Sequence, residues 1–510
     1  MALPNITFIK GQGGLGRALP GQDHISGMLF YTANLPSGFT TTSRVKALYS
    51  VSDAVNAGIL NDYSDATAST GTVTITAAGS AGDTIRVRCS SVSLSGALST
   101  ITLGEYTRVG TETAAQVATA VAASINANTQ NTGFSAIASG AIITITAPKF
   151  FGTFLNSGTP YTVQVTGGIT TTIVQNVIPG VASAQAVWHY HVSEFFRMNP
   201  KGILYVGFYA VPGTYAFTEI TLMQNFAQGA IRQIGVFKTA AYADSDIALI
   251  DAVCKANDAI KRPISAVYCA NLVGTADITT LATLATKSNN KVSVCVSQSG
   301  SGQGLLLVQT NSTSITHLGT IMGTISRANV SESIAWVNQF NLSDGVQNEV
   351  AMFANGQYYE TFASLDSTLE GLTDKRYIFV RKFNGISGTY FNDSHTAIAQ
   401  SSDYAYIENN RVIDKAIRVL NAAYLPFLNS PISLNADGTL TDVAVGTFEG
   451  VGETALDEMV RLSNLNAYDV VVDPSQDVLS TSELVVAVSL LMPGVARQII
   501  IPITFTQSIA

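Results

Sequence analysis

The chain has 510 residues, a length that predicts more than one domain. Only 12% of the residues are charged, about half the usual share, although 46% are hydrophobic. A soluble monomer normally has a more charged surface, so we expect surface that is buried in an assembly; a β-rich surface coated with serine and threonine is the alternative. The net charge of −8 argues against nonspecific binding to nucleic acid or to an anionic membrane.

The N-terminal residues predict a flexible arm. An apolar run at residues 6–9 is followed by the pattern G-x-G-x-x-G at residues 11–16. Dinucleotide binding requires a helix to begin at such a motif, and Pro20 and Gly21 prevent one. We therefore predict an arm over residues 1–20. The opening residues also lack the basic region and apolar core of a secretory signal, so we expect folding in a reducing cytoplasm.

Residues 66–181 differ from the rest in composition, being dense in threonine, serine, glycine and alanine and poor in charge. Alternating apolar and polar residues predict strands, and one helix shows apolar residues at helical spacing. The predicted strands are 72–76, 84–89, 142–147 and 161–165, and the helix is 113–126. We predict a self-contained, inserted β-rich domain with one helix over residues 66–181.

Residues 21–65 and 182–400 predict an α/β core with a mixed sheet flanked by helices. Apolar strands alternate with amphipathic helices, a pattern typical of sheets covered on both faces. The predicted strands are 203–210, 231–237, 264–270, 292–297 and 305–309. The predicted helices are 217–228, 244–261, 278–287 and 315–326.

The C-terminal part predicts an α+β domain over residues 401–492 and an extended strand arm over residues 493–510. Helices are expected at 403–425 and 454–464, and strands at 483–491 and 498–506. In the last strand, Ile499, Ile501, Ile503 and Phe505 alternate, so one face is entirely apolar. Pro502 removes a backbone donor and confines this strand to an edge or an added position.

The residues show no convincing catalytic, metal or cofactor site. His189 and His191 lie beside Glu194 on a predicted strand, but three convincing ligands are needed and no further histidine is near. The glycine loop at residues 300–304 lacks the Gly-Lys-Ser/Thr ending of a phosphate loop. The four cysteines form no Cys-x-x-Cys pair, and we expect buried free thiols. We therefore predict that the protein is not an enzyme and has no cofactor.

The predicted helix at 403–425 carries a basic stripe. Arg411, Lys415 and Arg418 recur at spacings of four and three, with Glu408 and Asp414 placed for local ion pairs. One interpretation is a solvated helix face. The other is a docking surface for an acidic partner.

Two blocks in this part of the chain resemble a known family. The first begins at residue 376 with an aromatic strand and N-G-I-S-G-T-Y-F-N-D, followed by D-Y and R-V-I-D-K-A-I-R. The second covers residues 318–342 and reads L-G-T-I-M-G-T-I-S-R-A-N-V-S-E-S-I-A-W-V-N-Q-F-N-L. Their order resembles the tail-sheath proteins of contractile bacteriophage tails and related contractile injection systems, and the similarity covers most of residues 185–510.

The resemblance implies a subunit that polymerises as stacked hexameric rings around an inner tail tube and contracts to drive that tube through a target cell envelope. It implies no nucleotide and no membrane insertion. The implied partners are the subunit itself, the tube protein, and baseplate and tail terminator proteins. The implied location is a virion tail or contractile particle, assembled in the bacterial host cytoplasm.

The resemblance also implies that the inserted domain, residues 66–181, faces outward and is dispensable for the core mechanism. It implies roles for particular residues as well. Terminal arms of sheath subunits add strands to their neighbours' sheets, which makes two sets of residues candidates for inter-subunit pairing: Ile6, Phe8 and Ile9, and Ile499, Ile501, Ile503 and Phe505. The basic stripe of Arg411, Lys415 and Arg418 becomes a candidate for facing the tube. Two alternatives are a surface-layer or adhesin-like structural protein, which predicts a secretion signal, and an α/β enzyme, which predicts a convergent polar site.

Overall fold

The structure is a computed structural model that describes residues 22–91 and 99–505. The strands are β1 (Ile25–Tyr31), β2 (Val45–Leu48), β3 (Thr70–Ala78), β4 (Thr84–Ser91), β5 (Ser99–Thr107), β6 (Ser135–Ser139), β7 (Ile142–Thr146), β8 (Tyr161–Val165), β9 (Ile169–Ile178), β10 (Ile203–Tyr209), β11 (Gln233–Phe237), β12 (Ser265–Cys269), β13 (Ser288–Asn289), β14 (Val292–Cys295), β15 (Ser297–Ser299), β16 (Ala351–Phe353), β17 (Val380–Phe383), β18 (Ile386–Phe391), β19 (Ala397–Ile398), β20 (Ala467–Val471) and β21 (Ala487–Leu491). The helices are α1 (Val51–Asn56), α2 (Ala114–Ala127), α3 (Thr129–Thr132), α4 (Ala184–Met198), α5 (Glu219–Phe226), α6 (Asp246–Ala259), α7 (Gly302–Thr310), α8 (Leu318–Arg327), α9 (Leu365–Asp374), α10 (Ile407–Tyr424), α11 (Asp442–Arg461) and α12 (Val478–Thr481).

A six-stranded sheet organises the largest hydrophobic core, in the order β14-β12-β11-β1-β10-β2. Its strands are parallel except β2, which pairs antiparallel with β10 at one edge. In β1, Met28 pairs with Gly235 and Leu29 with Gly207, so the two glycines face opposite sides of the sheet. Helix α8 closes on Gly235 and helix α5 on Gly207. Helices thus cover both faces, which is why the strands read as nearly continuous apolar runs.

Helices α4 and α8 pack unusually closely on one side of this sheet. A Cβ atom at Gly319 would lie 2.2 Å from the carbonyl oxygen of His191, and one at Gly323 would lie 2.6 Å from that of Phe195. The G-x-x-x-G spacing places both glycines on the face of α8 that meets α4. The two helix backbones can therefore come this close only because Gly319 and Gly323 have no side chains.

Residues 70–178 have a hydrophobic core of their own. Strands β6-β7-β3-β9 form one sheet and strands β5-β4-β8 form another. Helix α2 packs on strands of both sheets through buried apolar side chains such as Val117 and Val121. Thr113 and Gln116 form a capping box that starts α2. Thr67 and Val181 form an antiparallel bridge, so the two ends of this unit lie side by side.

The C-terminal part contains a two-stranded antiparallel sheet, β20-β21, covered on one face by α10 and α11. Val470, Val488 and Leu490 point toward Val412 and Leu456 in a small core. The chain is therefore a mixed α/β molecule with several sheets, as expected in outline from the sequence.

Several predicted elements differ in detail. Residues 305–309 belong to helix α7 and not to a strand, residues 278–287 contain only a short 3₁₀ turn (Ile278–Thr280), and α11 is nearly twice as long as the predicted helix 454–464. Residues 498–505 pair with no strand in the described chain. The prediction of buried free thiols is confirmed for Cys89, Cys254, Cys269 and Cys295.

Candidate assembly site

The carboxyl edge of the central sheet is where a doubly wound sheet normally binds a ligand, beside the strand at which the winding reverses. Here that strand is β1, because β10 lies on one side of it and the next strand in the chain, β11, lies on its other side. Tyr31 donates to Glu219 at 3.0 Å, and the ring of Tyr215 stands edge-on to Tyr31 at 4.9 Å. Lys238 and Asp246 form a buried pair at 2.5 Å. Protein side chains therefore fill this crevice.

The predicted histidine cluster lies on helix α4 and not on a strand. His191 stacks on Phe30 in the core with ring centroids 6.1 Å apart, and burial lowers its pKa to about 3. Its neighbour His189 contacts Ser193 one turn later. Over residues 22–91 and 99–505, no three metal-binding side chains converge on one point, and no helix there has the length and apolarity to cross a bilayer.

Helix α10 carries the basic stripe, but the stripe is buried within the subunit. Lys415 places its Nζ 2.6 Å from Asp23 Oδ2, and Arg418 donates to Asp23 Oδ1 at 2.6 Å. Arg411 donates to the carbonyl oxygens of Ala328 and Asn329. Arg411 is only 5% exposed and Lys415 only 3%. This corrects the expected tube-facing stripe, because these groups bind the start of β1 and offer no charge to a partner.

Burial determines the electrostatics of this network. Desolvation lowers the pKa of Arg411 to about 10, and burial together with the charge of Arg418 lowers the pKa of Arg232 to about 9. Asp414, on the same helix, binds Lys291 at 2.5 Å. Arg411 and Arg232 therefore remain protonated near neutral pH. Asp23 binds Lys415 and Arg418 at once. The network therefore fixes α10 against the amino ends of the sheet strands.

The acidic first turn of α10 binds the C-terminal segment. Arg497 donates to Asp393 Oδ1 at 3.0 Å and also to Glu408, and its guanidinium lies 3.3 Å from the ring centroid of Tyr406. Burial raises the pKa of Glu408, although Arg497 opposes that shift. In residues 493–505, every hydrogen bond comes from the Arg497 side chain. This arginine is therefore the anchor of the segment.

Beyond this anchor the chain is apolar and uncovered. Ile499, Ile501 and Ile503 are 77%, 73% and 88% exposed, and Phe505 is fully exposed. An exposed row of this kind is rare on a monomer and is typical of an interaction surface. The N-terminal candidates Ile6, Phe8 and Ile9 lie outside the described residues.

The sheet β20-β21 has two open edges in the described chain, since each strand pairs only with the other. On its outer face, Val471 and Leu491 are about half exposed. Open edges present unpaired backbone donors and acceptors that can accept a further strand. The sheet and the uncovered segment thus offer complementary features in one part of the molecule.

The same part of the molecule is strongly acidic. Residues 425–496 contain ten aspartates and glutamates and a single basic residue, Arg461, for a net charge of −9. The remaining residues contain 26 basic and 25 acidic side chains, so the negative charge of the protein is concentrated here. Asp442, Glu453 and Glu458 lie exposed along α11.

Comparison with family models assigns the chain. Residues 3–395 match the model described as DUF2586, N-terminal domain, and residues 403–509 match DUF2586, C-terminal domain. The chain belongs to the DUF2586 family. No curated protein sequence matches it.

Solved structures similar to this chain include three from sheaths. The anti-feeding prophage helical sheath in its contracted state has 16% identity and a TM-score of 0.44, over 62% of this chain and 81% of that one. The contracted sheath complex of the extracellular contractile injection system PVC has 14% identity and a TM-score of 0.42, over 63% and 80%. The sheath tail protein from Desulfitobacterium hafniense has 12% identity and a TM-score of 0.36, over 96% and 100%.

Proposed function

We propose that the protein is the structural subunit of a contractile tail sheath, assembled as stacked hexameric rings around an inner tube that contraction drives through a target cell envelope. One observation carries the proposal. An uncovered apolar segment, residues 498–505, is anchored in the part of the subunit that also holds the open-edged sheet β20-β21. The two sequence blocks at residues 318 and 376 that resemble tail-sheath proteins agree with it.

The occupant of the open edge is a terminal segment of a second copy. Arg497 ties the segment to Asp393 and Glu408 at the start of α10, whereas β20-β21 packs against Val412, Ala416 and Leu420 farther along that helix. The segment is thus held off its own sheet and is free to join another. Strand addition supplies backbone hydrogen bonds, and the alternating isoleucines supply an apolar face.

The partner inside the sheath is a tube with a basic outer surface. The basic stripe is buried within the subunit, so it cannot contact the tube. Asp442, Glu453 and Glu458 on α11 are exposed and can contact it. Opposite charge attracts over about 10 Å at ordinary ionic strength, so this contact weakens as salt is added. Baseplate and terminator proteins complete the proposed particle at the ends of the stack.

Electron microscopy of the purified chain tests the proposal. We expect tubes with a helical repeat of sixfold rings. Monodisperse monomers under all assembly conditions contradict it, and flat two-dimensional lattices favour the surface-layer alternative.

The tube contact has its own test. Replacing Glu453 and Glu458 by glutamine weakens binding of the co-expressed tube protein and flattens its salt dependence. The matched control replaces the exposed Asp366 and Glu370 of α9 by Asn and Gln, and it leaves binding unchanged. Equal binding by both variants contradicts the acidic contact.

A further inference from the structure

Both ends of the described chain meet on a single helix. At the N-terminal end, Asp23 lies two residues before β1 and binds Lys415 and Arg418 of α10 through its two carboxylate oxygens, each at 2.6 Å. Arg411 adds a hydrogen bond to the backbone oxygen of Asp23. Asp23, just before β1, is therefore bound by three cationic side chains.

At the C-terminal end the signs of the charges are reversed. Arg497 is the cation, and Asp393 and Glu408 are the carboxylates that bind it. Glu408 is in the first turn of α10 and is 1% exposed, so this ion pair lies largely out of water. Charge-assisted hydrogen bonds of this kind are roughly twice as strong as neutral ones.

The two anchors are close together. Glu408 and Arg418 are ten residues apart, which corresponds to about 15 Å along a helix axis. One anchor thus uses the acidic start of the helix, and the other uses its basic later turns.

We infer that helix α10 is the common anchor of the two terminal segments, with Asp23 and Arg497 as positioning residues that set where each link to a neighbouring subunit leaves the body. This inference rests on the proposed function in one respect only, namely that the segments are links. The anchoring itself is a property of the single chain.

Distances between spin labels test the anchoring in the full-length chain. Since all four native cysteines are buried, labels attach only to introduced ones. One label is placed at Thr454→Cys on the exposed face of α11 and the second at Ile499→Cys or at Gln22→Cys. Labelled chains are diluted with unlabelled chains so that only distances within one subunit are read. We expect one narrow distance distribution for each pair.

Removing an anchor broadens one distribution and leaves the other narrow. Arg497→Gln broadens the distance to residue 499, and Asp23→Asn broadens the distance to residue 22. Arg461→Gln, which breaks an exposed ion pair with Glu458, is the matched control and leaves both narrow. Distributions that stay narrow in Arg497→Gln and Asp23→Asn overturn the inference.

Combined neutral variants guard against unfolding, because a single substitution leaves a buried charge unpaired. Arg497→Gln with Glu408→Gln and Asp393→Asn, and Asp23→Asn with Lys415→Met and Arg418→Met, remove every partner of an anchor. Each is expected to broaden the same distribution as the corresponding single variant.

The result separates two kinds of failure. If the chain forms no tubes yet the distributions broaden, the anchors exist and the sheath proposal is wrong. If tubes form and the distributions stay narrow, the sheath proposal stands and the anchors are wrong.

Discussion

Three buried histidines make the stability of the subunit depend on pH. His317 lies between Ser297 and Asn348, at 2.9 and 3.1 Å, and burial lowers its pKa to about 4. Burial likewise lowers the pKa of His191 to about 3 and that of His395 to about 4. Each is neutral in the folded chain at a pH where the unfolded chain binds a proton.

We expect acid to destabilise the fold between about pH 6.5 and about pH 4. In this window the unfolded histidines take up protons that the folded ones do not, so stability is full above pH 6.5 and falls as the pH drops. Each histidine contributes about 1.4 kcal/mol per pH unit. Denaturant unfolding across the window measures the slope, and His317→Gln should reduce it. An unchanged slope contradicts this assignment.

Among the elements, the crossing of α4 and α8 depends on two glycines. We expect Gly319→Ala to destabilise the subunit by about 1–3 kcal/mol, because its Cβ would overlap the carbonyl oxygen of His191. Gly446→Ala on α11 is the control, since a Cβ there meets only open space. Alanine is the better helix former by about 1 kcal/mol, so the control should be neutral or stabilising in chemical denaturation. Equal effects at the two glycines would mean that close packing is not the cause.

The last segment is an element whose removal should affect assembly and not folding. Deleting residues 498–510 leaves Arg497 in place, so thermal unfolding of the subunit should be unchanged while long tubes disappear from electron micrographs. Deleting residues 496–510 also removes Arg497 and leaves buried Glu408 unpaired, so that variant should unfold at a lower temperature. Full-length tubes from the shorter deletion would show that the segment does not link subunits.

Local pattern predicts many of these elements and misses others for physical reasons. Helix α6 and strands β11 and β12 follow from periodicity. The run at residues 305–309 has consecutive apolar residues that suit a strand or a buried helix equally, and the structure makes it helix α7. Helix α11 begins at Asp442, well before the predicted helix 454–464, and its first half contains Gly446, Gly450 and Gly452. A Cβ at Gly452 would meet Val470 and the Tyr424 hydroxyl. Packing overrides propensity at such positions.

The local sequence pattern could not predict that the basic stripe is buried. Lys415 and its partner Asp23 are 392 residues apart, so no spacing in the sequence connects them. The same holds for Arg497 and Glu408, which are 89 residues apart. Periodicity identified the stripe correctly, but only tertiary structure determines what a charged stripe faces.

For the whole molecule, the composition of residues 66–181 predicts a unit that can be removed. The bridge between Thr67 and Val181 brings its ends together, and Asp65 caps α4 by accepting from Ser183 and the backbone of Ala184, so these residues should be kept. We expect a chain in which two glycines replace residues 68–180 to unfold cooperatively and still assemble.

The expected loss of stability on this replacement is modest, because few contacts cross the boundary. Examples are the hydrogen bond from Thr153 to Thr310 and the packing of Leu306 on the unit. Circular dichroism melts and electron microscopy test the variant. Insoluble protein, or folded monomers that never assemble, would show that the unit belongs to the core.

The two anchors on α10 also determine how the subunit bears a load. When the chain is pulled by its two ends, the contacts of Asp23 and Arg497 with α10 form a load path about 15 Å long, in parallel with the covalent path through β1. The unit of residues 70–178 lies outside this short path. In the proposed sheath, a row of subunits joined end to end would contain one such short path in each subunit. The length of that row would stay nearly constant while the domains attached to it rotate.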